Sequence, residues 1–147
     1  VETDAVTSSV ATFYEPQAGN EHILLVDDDQ AIVKLEKLML EKLGYTVTGC
    51  TGSIEALKVF QQSPDAFDII ITDMTMPDMT GDLLAKEILS QKPDMPVIIC
   101  TGFSERLDET QAKAMGVKGF LMKPVVRSEL TRMIRDSLNN RNRSENG

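Results

Sequence analysis

Five short apolar runs alternate along this chain with five stretches whose apolar residues recur every three or four positions. The first run, Ile23-Leu24-Leu25-Val26, is continuous rather than alternating. That pattern suits a strand covered on both faces. Ile32, Leu35, Leu38, Met39 and Leu43 follow at helical spacing and stop at Gly44, a residue that tolerates the left-handed turn ending a helix. Tyr45 to Cys50 predicts a second strand, and Ser53 to Gln62 a helix that ends near Pro64. Phe67 to Thr72 predicts a third strand, Asp82 to Ser90 a helix, and Val97 to Cys100 a fourth strand. Glu105 to Met115 reads as a weaker helix closed by Gly116. Phe120 to Met122 is a short fifth strand, and Leu130, Met133, Ile134 and Leu138 mark the last helix. Strands that alternate with helices form a parallel sheet, because each return crossing needs a helix-length connection. Right-handed crossovers then put helices on both faces. The expected class is α/β, a doubly wound (βα)5 three-layer sandwich.

In such folds ligands bind beyond the carboxyl ends of the strands. The chemically distinctive residues fall there. Asp27-Asp28-Asp29 follows the first strand, Asp73 the third, Thr101-Gly102 the fourth and Lys123-Pro124 the fifth. Two like charges 4 Å apart cost roughly 4 kcal/mol at an effective dielectric of 20. A cation must offset that cost, or one acid must stay protonated. Oxygen ligands alone suit Mg²⁺. No His or Cys stands among these positions, which disfavours zinc. Asp29 is expected to cap the next helix. Capping needs neither Asp27 nor Asp28. Asp73 precedes a loop with Pro77 and Gly81, where an aspartate is ordinarily a turn residue. Its company makes it the candidate reactive group. Lys123 could be a snorkelling surface lysine, or a point charge for a phosphate.

The chain has 147 residues, enough for one compact domain. Its net charge of −8 argues against a nucleic-acid or anionic-membrane partner. No apolar run approaches the ~18 residues of a membrane span, and no signal peptide is evident. A cytoplasmic location is expected. Cys50 and Cys100 are expected to be reduced core thiols. Residues 1–20 read as a linker or tail, with Val10 to Tyr14 a candidate strand of something upstream. The start at Val1 suggests an excised piece. Residues 21–139 are the expected domain and 140–147 a flexible tail.

Four segments resemble the receiver domains of bacterial response regulators: Leu25-Val26-Asp27-Asp28, Ile71-Thr72-Asp73-Met74-Thr75-Met76-Pro77, Cys100-Thr101-Gly102 and Phe120-Leu121-Met122-Lys123-Pro124. The resemblance implies a flavodoxin-like five-stranded sheet of order 2-1-3-4-5. It implies Asp73 as phosphoacceptor, Asp27 and Asp28 as the acidic pair for Mg²⁺, and Thr75 as a backbone-carbonyl metal ligand. Lys123 and the Gly102 backbone would contact the phosphoryl group. Thr101 and Phe120 occupy the switch positions. The implied partners are a histidine kinase or a histidine phosphotransfer protein, with a homodimer also compatible. The implied enzymology is limited to the domain's own aspartyl phosphorylation and dephosphorylation. Gly102 stands where the family commonly has alanine, and Val125 where phenylalanine is frequent. Phe103 and Thr75 flank the site, where their bulk would govern water access. The stretch from Gly116 to Val125 is similar to receivers at the carboxyl end of hybrid sensor histidine kinases. No output domain fits in the nine residues after Leu138.

Other readings fit less well. A haloacid dehalogenase needs an acid where Thr75 stands. A flavodoxin-like cofactor binder needs a phosphate loop where three aspartates stand. Asp27-Asp28-Asp29-Gln30 lacks the alternating acids of a calcium loop. A pseudo-receiver, acting purely by protein interaction, would lack the acceptor or the lysine.

Overall fold

The structure, a computed structural model, describes residues 18–102 and 109–146. Five strands, β1 (His22–Val26), β2 (Thr46–Cys50), β3 (Ile69–Asp73), β4 (Val97–Thr101) and β5 (Gly119–Met122), form one sheet. Every neighbouring pair is parallel, in the order β2-β1-β3-β4-β5. The helices are α1 (Gln30–Lys42), α2 (Ser53–Gln62), α3 (Gly81–Gln91), α4 (Glu109–Ala114) and α5 (Arg127–Asn146). The doubly wound class and the 2-1-3-4-5 order match the expectation.

Local chemistry explains the helix boundaries. The Asp29 side chain accepts from the backbone N–H groups of Ala31 and Ile32 and so caps α1. At the other end Gly44 takes φ +103°, where a side chain would be strained. Alternate residues of each strand feed two cores. Leu24, Val26, Ile70 and Ile99 pack with Phe60 of α2 and Leu84 and Ile88 of α3. Ile23, Leu25, Ile71 and Ile98 pack with Leu40 of α1 and Leu130, Ile134 and Leu138 of α5. All five residues of β3 and all five of β4 are buried. That is why those runs read as unbroken apolar stretches rather than alternating ones.

The structure departs from the sequence reading in several places. β3 begins two residues later than expected, because Pro64–Ala66 forms a 3₁₀ turn and Phe67 caps it. Leu35 and Leu38, placed by periodicity on the inner face of α1, are 70% and 58% exposed. Helix α5 runs through Asn146, beyond the expected domain end. Arg135, on the polar side of the α5 apolar pattern, grips Glu21 with both terminal nitrogens at 2.6 and 3.0 Å. It thereby ties α5 to the start of β1. His22 sits at the start of β1, and its Nε2 lies 2.8 Å from Thr48 Oγ1. Both cysteines are buried and free, and burial pushes the Cys50 thiol up to about 12. No described helix is long and apolar enough to cross a membrane. The candidate strand at Val10 to Tyr14, the first residues of the weak helix at Glu105, and Phe103 lie outside the described residues.

Candidate functional site

The parallel register sets the site. Val26 pairs with Thr72, so Asp27 leaves β1 beside Asp73, the last residue of β3. Asp73 pairs with Cys100, and Thr101 with Met122, so Lys123 leaves β5 on the same edge. Asp27, Asp28 and Asp73 each offer a carboxylate oxygen, and these oxygens lie within 4.8 Å of one another. Asp27 and Asp73 are buried, while Asp28 is exposed.

Lys123 Nζ lies 2.6 Å from Asp73 Oδ1 and 3.9 Å from Asp27 Oδ2. The Met74 N–H also donates to Asp73 Oδ1, at 3.0 Å. The protein contacts of the Asp73 carboxylate therefore converge on one oxygen, leaving Oδ2 clear among the described residues. Asp27 Oδ1 accepts from the Asp29 N–H at 2.9 Å. Burial raises the Asp27 carboxyl above its ordinary value, and the Asp73 and Asp28 charges add to that, against the Asp29 N–H and Lys123. Burial likewise raises Asp73, opposed by Lys123 and the Met74 N–H. Burial disfavours the Lys123 ammonium, but its bond to Asp73 together with the Asp73 and Asp27 charges outweighs this and holds the group above its ordinary value. The site gathers more negative than positive charge, which is the condition for recruiting a cation. Three carboxylate oxygens this close, with no nitrogen or sulfur ligand in the cluster, fit a small hard ion such as Mg²⁺.

The remaining predicted residues lie on β4, on β5 and in the loops that follow β3 and β4. Thr75 is exposed in the loop after β3. The Thr101 side chain is buried, and its hydroxyl donates weakly to the Gly102 carbonyl at 3.4 Å. Gly102 opens on space, since an added Cβ would meet nothing within 4 Å. Phe120 is half-buried and packs on the core shared with α2 and α3. Lys123-Pro124 is a cis peptide.

Two residues escaped the sequence reading. Gly81 starts α3, and a Cβ there would lie 2.2 Å from the Asp73 carbonyl oxygen. Its N–H donates to the Met74 carbonyl at 2.7 Å, closing the loop after Asp73. Glu36, on α1, has its carboxyl raised to about 7 by burial and by the Asp27 and Asp73 charges, against Lys123. The available signal was an acid one helical turn from Ile32, among the apolar positions of α1.

A strand-end acidic cluster, a lysine bridging to it and a 2-1-3-4-5 parallel sheet define a signalling receiver rather than a cofactor-binding domain. The profile of the response regulator receiver domain matches residues 23–135. The chain is 39% identical over 117 residues to the transcriptional regulatory protein GlrR of Escherichia coli K12, covering 80% of this chain and 26% of that protein. It is 30% identical over 121 residues to the sensor kinase CckA of Brucella abortus, covering 82% and 13%. A crystal structure of a response regulator receiver domain protein from Clostridium thermocellum superposes with a TM-score of 0.79 at 33% identity, covering 83% of this chain and 97% of that one. This chain belongs to the response regulator receiver domain family of two-component systems. It spans about a quarter of the length of GlrR, the relative of highest identity named here.

Proposed function

We propose that Asp73 accepts a phosphoryl group from a phosphohistidine on a histidine kinase or histidine phosphotransfer protein. The observation that carries this reading is the 2.6 Å contact of Lys123 Nζ with Asp73 Oδ1 beside the Asp27–Asp28 pair. Asp73 Oδ2 attacks phosphorus, the P–N bond breaks, and the electron pair returns to the imidazole. Lys123, already at the acceptor, meets the charge on the phosphoryl oxygens as they arrive. Asp27, Asp28, Asp73 and the Thr75 carbonyl would hold Mg²⁺, and the Gly102 backbone would contact the phosphoryl group. A bound Mg²⁺ supplies the positive charge that three carboxylates and a phosphoryl group require.

The switch follows from the same edge. The Thr101 hydroxyl gives little up by leaving a 3.4 Å contact. It turns toward the new phosphoryl oxygens, and Phe120 moves into the space it vacates. The repacked face of β4, α4 and β5 is what a partner reads, as a population shift between two packings. The receiver spans residues 21–139, with a linker before it and the end of helix α5 after it, and works in the cytoplasm. Between a stand-alone receiver and the carboxyl-terminal receiver of a hybrid sensor kinase, the likeness to the sensor kinase CckA supports the second. The domain's chemistry is confined to its own aspartyl phosphate.

The test is the intact mass of the chain after incubation with acetyl phosphate and Mg²⁺. One phosphoryl group is expected on the wild type and none on Asp73→Asn or in EDTA. Absence of the adduct, with beryllofluoride also failing to bind, makes the domain a phosphorylation-independent interaction module.

A further inference from the structure

Beneath the acidic edge, on the α1–α5 side of the sheet, lies an open cavity of about 580 Å³. This is within the range of about 300–1,000 Å³ that small-molecule sites occupy. Its apolar lining includes Leu25, Ile32, Leu35, Ile71 and Val125, and Asp27, Asp73 and Lys123 of the acidic edge line it as well. Two features make it unlike a packing defect. Leu35, on its rim, is 70% exposed, so apolar surface runs from the interior out to the mouth. Glu36 also lines it, and among the described residues that carboxylate has no hydrogen-bond or ion-pair partner. The nearby cation, Lys123, is already engaged by Asp73 and Asp27. Beside the Asp27, Asp73 and Lys123 cluster, the cavity thus offers apolar walls and one carboxyl group without a partner.

We propose that this cavity binds a small apolar molecule carrying a protonated amine, the apolar body between α1 and Val125 and the ammonium on Glu36. Charge complementarity selects the class. A carboxylate or phosphate ligand would face Glu36, Asp27 and Asp73 together. A neutral apolar ligand would leave Glu36 half-buried and unpaired. Mg²⁺ at the acidic cluster would compensate Asp27, Asp28 and Asp73 but leave Glu36 to the ligand. The proposal concerns binding and does not require phosphoryl transfer at Asp73.

The test titrates the full chain, in saturating Mg²⁺, with tryptamine and with its neutral counterpart 3-ethylindole, by calorimetry and methyl NMR. Tryptamine is expected to bind one to one, about tenfold tighter than 3-ethylindole, the worth of one charge-assisted hydrogen bond. Shifts should centre on the methyls of Leu25, Ile71 and Val125. Glu36→Gln should abolish the tenfold preference and leave 3-ethylindole unchanged. Val125→Phe, which fills the cavity, should weaken both probes at least about tenfold. Val125→Leu, a smaller filling change, should weaken them less. No binding by the wild type at millimolar probe overturns the proposal. So does binding undiminished in Val125→Phe, shifts centred elsewhere, or a preference for tryptamine that survives Glu36→Gln.

Discussion

Glu36→Gln should stabilise the metal-free protein at high pH and leave it unchanged at low pH. The Glu36 carboxyl rises from an ordinary 4.5 to about 7 because burial and the Asp27 and Asp73 charges disfavour its ionised form. A folded value above the unfolded one means that ionisation costs the folded state. The cost is absent below about 4.5, accumulates between there and about 7, and is complete above. The two values set a ceiling of about 3 kcal/mol. Glu36 is only half-buried, and water at its open side reduces this to about 1–2 kcal/mol. Glutamine keeps the shape and removes the charge. Urea unfolding in EDTA, wild type against variant, should show a gain of that size near pH 8 and almost none near pH 4.5, with the same denaturant slope. Mg²⁺ should shrink the gain by compensating Asp27 and Asp73. A gain equal at both pH values, or a loss at pH 8, refutes the reasoning.

Three further outcomes follow from named contacts. Lys123→Gln removes the cation 2.6 Å from Asp73; phosphorylation by acetyl phosphate should slow about 10²-fold, read from the time course of intact mass. Gly81→Ala forces a Cβ against the Asp73 carbonyl oxygen at 2.2 Å. It should cost about 1–3 kcal/mol in urea unfolding and also slow phosphorylation by displacing the acceptor. Arg135→Met breaks the two-point grip on Glu21 and should cost about 1–2 kcal/mol by the same assay. High salt should diminish that last cost only partly, because both side chains are about four-fifths buried.

The sheet was legible because β3 and β4 are buried on both faces and so contain little but apolar residues. The position of the acidic edge was legible because each strand run is followed at once by its polar residue. What the sequence hid were matters of distance between elements. Nothing in a Gly after Met-Thr says that Asp73 carbonyl backbone lies where its Cβ would be. Glu36 reads as an ordinary surface acid until α1 is laid against β1 and β3, where it meets Asp27 and Asp73. Arg135 is likewise solvent-facing by periodicity, and only the packing of α5 brings it 114 residues back along the chain to Glu21. Leu35 and Leu38 failed in the opposite sense. Helical spacing assigned them to the core, but the space between α1 and α5 stays open there. Phe67 was drawn into the third strand by its hydrophobicity, although Pro64 opens a turn that keeps it outside.

Asp73 is proposed to take the phosphoryl group, with Asp27 and Asp28 serving the metal. An acyl phosphate can be reduced by borohydride to an alcohol, converting the modified aspartate to homoserine. Peptide mapping of the reduced, acetyl phosphate-treated protein should place homoserine at position 73 alone. Homoserine at position 27 or 28, with position 73 unchanged, would contradict the account.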